Sequence, residues 1–141
     1  MDLSEQLMWG TVFLTTCIVL HTIVVSFSVG FLNRFGERAS DRVAPQLLRL
    51  SAAIIITVLG HTAQVWIWAH ALLSRDIFSD WNTAIYFSLV TYTALGYGDI
   101  TLGEGARVFA AFAAVTGLLG FGISTAFIAA LLSKMLRRAQ G

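Results

Sequence analysis

Charge is scarce in this chain. Asp, Glu, Lys and Arg make up 12% of its 141 residues, about half of the roughly 25% usual in a soluble domain. With 57% hydrophobic residues and a mean hydropathy of +0.76, there are too few polar groups to cover a globular surface. An ordinary water-soluble fold is excluded, and an integral membrane protein is expected. The formal net charge is +1, which gives no bulk electrostatic ground for a nucleic-acid partner. Cysteine occurs once, as Cys17. That excludes a disulfide within the chain, no Cys/His spacing resembles a zinc site, and Cys17 reads as a small apolar packing residue. Nor is there a nucleophile–base pair or a phosphate loop, so an enzyme is the weakest function class and no cofactor is expected.

What the chain has instead is apolar length. Residues 9–32, 50–73 and 108–133 carry no formal charge, and each run is long enough for a membrane-spanning helix of about 20 residues. The first is not expected to be a cleaved signal, because no Lys or Arg precedes Arg34 and a signal has a basic leader and a shorter apolar core. Residues 33–49 form a polar connection, with Asn33, Arg34, Glu37, Arg38, Asp41, Arg42 and Arg49, and the only proline, Pro45, suits the first turn of the next helix. Of the nine Lys and Arg residues, Arg34, Arg38, Arg42 and Arg49 lie in that connection, and Lys134, Arg137 and Arg138 follow the third run. The positive-inside rule then predicts a multi-pass protein of the cell membrane, with the N-terminus outside and the C-terminus in the cytoplasm. Trp66, Trp68 and His70 at one end of the second run suggest an interfacial belt at the outer surface.

Between the second and third runs lies a segment that does not fit a span. Ser79 or Asp80 can cap a helix opened by Trp81. From residue 81 to 93 there is length for only about 20 Å of helix, too little to cross a hydrocarbon core of about 30 Å. Then comes Thr93-Ala94-Leu95-Gly96-Tyr97-Gly98-Asp99. Glycines at alternate positions, Gly96 and Gly98, allow left-handed dihedrals at alternate residues, which aim successive carbonyls the same way. A short helix followed by irregular backbone is a re-entrant loop, tolerated in a membrane only where it is buried in protein or lines water.

On these residues, above all Ala94-Leu95-Gly96-Tyr97-Gly98-Asp99 and the flanking runs, the chain resembles the tetrameric potassium-channel family, whose filters are rings of backbone carbonyls. The likeness spans about residues 47–135. It implies an all-α membrane protein: three transmembrane helices plus a re-entrant pore helix and selectivity-filter loop, assembled as a homotetramer in the lipid bilayer. Residues 1–46 would be an N-terminal transmembrane helix with its cytoplasmic connection, and residues 47–141 the pore domain. The resemblance implies K⁺ as permeant ion, held by the main-chain oxygens of Ala94, Leu95, Gly96 and Tyr97. Thr93, Gly98, Asp99, Tyr86 and Phe87 would support the filter, and the side chains of Leu95 and Tyr97 would pack behind it.

The departures from the family pattern are specific. Ala94 stands where the family has a hydroxyl residue, which predicts a weaker innermost ion site. Leu95 replaces the commoner Val, Phe87 cannot donate a hydrogen bond to Tyr97, and Val90 replaces an acidic residue found behind some filters. A less selective monovalent cation channel and a non-conducting channel-like membrane subunit therefore stand as alternatives. Gly117, Gly120 and Gly122 in the third span allow either close helix packing or a gating bend. His61 and Gln64 share a helical face, and a hydrogen bond between helices is expected there. The first span has no spaced arginines and is not expected to sense voltage.

Overall fold

The structure, a computed structural model, describes residues 1–36 and 43–139. Four helices follow in order: α1 Leu3–Gly36, α2 Val43–Leu73, α3 Trp81–Tyr92 and α4 Arg107–Ala139. Among the described residues there is no strand. Three stretches are long and apolar enough to cross a membrane: Leu3–Leu32, Ala44–Leu73 and Arg107–Arg137. At 12 residues, α3 reaches only about 18 Å, too short to cross a hydrocarbon core of about 30 Å.

The long helices extend beyond the uncharged runs. α1 begins at Leu3 rather than near residue 9 because Asp2 and Glu5 form a reciprocal cap. The Asp2 carboxylate accepts from the Glu5 amide at 2.8 Å, and the Glu5 carboxylate accepts from the Asp2 amide at 3.0 Å. This satisfies two otherwise orphaned donors of the first turn. The spacing of an N-cap acid and a glutamate three residues later was in the sequence and marks the start. α4 likewise runs past Lys134 to Ala139. In the 33–49 connection, α2 already starts at Val43, with Pro45 in its first turn, whereas Glu37, Arg38, Asp41 and Arg42 lie outside the described residues.

The packing of α1 is decided by three groups far apart in sequence. α1 lies along α4 and α2, with no close backbone approach to α3. Near its N-terminus, Gln6 Oε1 accepts from the amides of Val108 and Phe109 at 3.1 and 3.3 Å, while its Nε2 donates to the Glu104 carbonyl at 2.9 Å. A side chain of α1 thus caps the first turn of α4, where backbone N–H groups have no partner within their own helix. Next to it, the Arg75 guanidinium sits 4.6, 5.0 and 4.8 Å from the ring centres of Trp9, Phe13 and Phe109. Cation–π attraction here ties the turn after α2 to both α1 and α4. One helical turn on, Gly10 lets the Phe112 ring lie close against α1: an added Cβ would fall 2.7 Å from its Cγ. Cys17 is fully buried and unpaired, in a cluster with Trp68, Leu72, Tyr92 and Phe109, as its reading as a packing residue expects.

Candidate functional site

The loop after α3 is held from both ends of that helix. At the start, Asp80 is the N-cap, and its Oδ1 accepts from the Thr83 amide at 2.9 Å. Of the two sequence candidates for the cap, Asp80 does the work. Trp81, which opens the helix, lies near Trp66 at 5.7 Å and His70 at 6.1 Å, whereas Trp68, expected in the same aromatic belt, is fully buried in the core against Phe13 and Phe109.

At its end, α3 closes in a Schellman motif. Thr93 is the C-cap. The Ala94 amide donates to the Thr91 carbonyl at 2.9 Å and the Leu95 amide to the Val90 carbonyl at 3.0 Å. This pattern requires a left-handed residue between the two donors, and Ala94 supplies it with φ +56. Glycine usually fills that position, because a Cβ there costs roughly 1–2 kcal/mol. In the sequence, left-handed backbone is marked at the glycines only. The structure adds Ala94, and nothing local in the sequence marks it.

Gly96 and Gly98 follow with φ +55 and +77. Positions 94, 96 and 98 are therefore left-handed, and Leu95 and Tyr97 between them are not. The only other positive φ among the described residues is at Asp76, in the turn after α2. Alternation of this kind turns successive carbonyls toward one side of the chain. Neither glycine has an atom within 4 Å of where a Cβ would stand. They are needed for their dihedrals, not for space.

The expected supporting residues occupy different positions. Tyr86 donates its hydroxyl hydrogen to Asp99 Oδ2 at 2.5 Å, clamping the far end of the loop to α3. Phe87 instead packs against Phe78, ring centres 5.2 Å apart, and borders a cavity of about 260 Å³ with Thr91, Ile100, Leu102 and Arg107. Thr93 turns its hydroxyl back to the Leu89 carbonyl at 2.8 Å. Leu95 and Tyr97 are 55% and 67% exposed, so within a single chain nothing stands behind them.

Behind the loop, α4 meets α3 through glycine. A Cβ on Gly117 would lie 2.8 Å from the Tyr92 carbonyl carbon and closer still to its oxygen. On Gly120 it would lie 3.2 Å from the Tyr92 hydroxyl and 3.3 Å from His61, while Gly122 has open space. The three glycines thus differ: two are contact points and one is unconstrained. Tyr92 itself is buried, with its hydroxyl 2.7 Å from His61 Nδ1 and 3.2 Å from Gln64 Oε1. Gln64 Nε2 reaches His21 Nδ1 at 2.8 Å, and Ser124 Oγ lies 2.8 Å from His21 Nε2 and 2.9 Å from His61 Nε2. The interhelical bonding expected at His61 and Gln64 is present and extends to all four helices. The parts played by His21, Tyr92 and Ser124 were not legible, since their meeting depends on how α1 docks.

Residues 50–134 match the model of a family described as ion channel. The match runs from within α2 through α3 and the glycine loop into α4, and leaves α1 outside. No curated protein and no solved structure matches the chain.

Proposed function

The chain belongs to the ion-channel family whose model it matches over residues 50–134, and from that premise we propose that it forms a homotetrameric, K⁺-selective channel. The family is one of channels, not of enzymes. Four loops about a common axis would offer the main-chain oxygens of Ala94, Leu95, Gly96 and Tyr97 in place of water to a dehydrated K⁺. The observation that carries this reading is the left-handed backbone at 94, 96 and 98, directly after a helix too short to span. Neutral carbonyls bind K⁺ firmly enough to admit it and weakly enough to release it. The C-terminal end of α3 adds a partial negative charge at the inner side of the loop. The exposed Leu95 and Tyr97 side chains would pack against neighbouring copies, and the Tyr86–Asp99 bond would hold the outer mouth.

In this reading residues 47–141 are the pore domain and residues 1–46 an added helix with its connection. The basic ends at Arg49 and Lys134 face the cytoplasm and the N-terminus faces outside. The inner-helix bend belongs at Gly122, because Gly117 and Gly120 are already committed to Tyr92 and His61. A weakly selective monovalent cation channel is the second reading. It is favoured by the missing hydroxyl at Ala94 and by the engagement of the Thr93 hydroxyl with Leu89.

The test is ion flux from purified protein in liposomes. K⁺ and Rb⁺ should pass, Na⁺ should be retained, and Ba²⁺ should block. Equal passage of Na⁺ and K⁺ establishes the second reading. Absence of any flux from intact tetramers refutes both and leaves a non-conducting membrane subunit.

A further inference from the structure

We propose that His21, His61, Gln64, Tyr92 and Ser124 form one closed, one-directional ring of hydrogen bonds that latches the pore helix to the inner helix, and that proton uptake by either imidazole opens it. The ring exists independently of conduction; its effect on flux rests on the channel reading above.

The direction of every bond follows from the chemistry of the groups. Gln64 Nε2 lies 3.4 Å from the Gly60 carbonyl, which only a donor can face, so that atom is the NH₂ group. It therefore donates to His21 Nδ1, 2.8 Å away. A neutral His21 then carries its hydrogen on Nε2 and donates to Ser124 Oγ. On the other side, Gln64 Oε1 can only accept, so it receives the Tyr92 hydroxyl hydrogen. The Tyr92 oxygen is left to accept from His61 Nδ1–H. A neutral His61 then has a bare Nε2, which accepts the Ser124 hydroxyl hydrogen. Each of the five groups gives one hydrogen and receives one. Chains closed in this way polarise one another and hold one geometry.

That balance holds only while both imidazoles are neutral. A proton on His21 Nδ1 would face the Gln64 NH₂, donor against donor. A proton on His61 Nε2 would strip the Ser124 hydroxyl of its acceptor. No compensating charge is near. α1 contributes only Cys17 as a further titratable group near Tyr92, α2 and α3 contribute none beyond the ring members, and α4 presents the Phe121 ring, 4.7 Å from His61. Between residues 50 and 73, 81 and 92, and 108 and 133 there is no Asp, Glu, Lys or Arg. His21, Gln64, Tyr92 and Ser124 are 1%, 2%, 1% and 5% exposed. His61 is the half-open member and the point of entry for a proton.

Tyr92 precedes the loop by two residues, so an open latch frees the base of the filter from α4. Histidine ¹⁵N spectra of the full chain in lipid, with His70→Gln to remove the third signal, test the ring directly. Near pH 7.5 the spectra should show one Nε2–H and one Nδ1–H tautomer. Two alike, or a charged imidazole, would overturn the proposal. In liposomes, K⁺ flux should fall about tenfold as pH drops from about 7.5 to about 3.5, low enough to charge an imidazole buried without a counter-charge. Ser124→Ala should abolish this acid dependence and Ser124→Thr, which keeps the hydroxyl, should restore it. An unchanged acid profile in Ser124→Ala refutes the latch. Should no variant or parent conduct at any pH, the channel reading fails, while the tautomers still decide the ring.

Discussion

Gly117→Ala should be the most disruptive single-methyl change at the three glycines of α4, and Gly122→Ala should be harmless to stability. The added Cβ at position 117 would stand 2.8 Å from the Tyr92 carbonyl carbon and nearer its oxygen, against an optimum of about 3.5–4.0 Å for carbon pairs. The obstacle is backbone, so no rotamer change relieves it. Tyr92 cannot retreat easily either, because its hydroxyl is bonded to His61 and Gln64 and its ring lies edge-on to Phe121 at 5.6 Å. α4 must move away from α3 by more than about an ångström to clear the Tyr92 oxygen, at a cost of about 3 kcal/mol or more, the upper range for overpacking. Replacing glycine by alanine within a helix returns only about 1 kcal/mol. At Gly122, where there is open space, that gain is the whole effect, so Gly122→Ala should be stabilising by roughly 0.5–1 kcal/mol. Thermal unfolding of the two variants in the same detergent reads the difference, and flux reads its consequence. A Gly117→Ala protein that melts with the parent would refute the α3–α4 contact. A Gly122→Ala protein that is more stable yet opens less readily would fit a bend at that residue.

Three further outcomes are expected. Gly96→Ala should leave the helix packing unchanged, since its Cβ meets nothing within 4 Å, yet lower the melting temperature and abolish K⁺ flux, because φ +55 costs an alanine roughly 1–2 kcal/mol in every copy; normal flux would contradict the filter assignment. Arg75→Leu should loosen α1 by about 1–2 kcal/mol through loss of its three aromatic contacts, with Arg75→Lys intermediate, as read by crosslinking between α1 and α4; equal crosslinking in all three would remove the guanidinium from the account. The Asp80 carboxyl is held below its ordinary value of 3.8 chiefly by the Thr83 backbone amide. Its capping contribution is thus full above about pH 4 and lost as pH falls through the lowered value. Protection of the Thr83 amide, measured as its exchange relative to the intrinsic rate at each pH, should fall on acidification in the parent but not in Asp80→Asn, which keeps the acceptor and does not titrate; identical profiles would refute the cap.

The reach of the sequence can be judged element by element. Three spans, a fourth helix too short to cross, and glycine-dependent backbone after it all follow from local quantities: run length, charge, and the sterics of a missing Cβ. The α3 cap at Asp80 follows from the same local chemistry. Span ends were less clear where a polar group stabilises helix beyond the apolar run, as Asp2 and Glu5 do for α1.

Ala94 shows where local reading stops. Its left-handed backbone is set by the carbonyls of Val90 and Thr91, which accept from the turn after α3, and an alanine carries no mark of that role. The docking of α1 is a stronger case. Gln6 finds the start of α4 about a hundred positions away in the chain, and His21 finds Ser124. Helix formation is governed by neighbours three and four residues apart, so it is written along the chain. Which helices then satisfy one another's buried donors and acceptors depends on side chains that only meet once those helices have packed, and that only the tertiary structure decides.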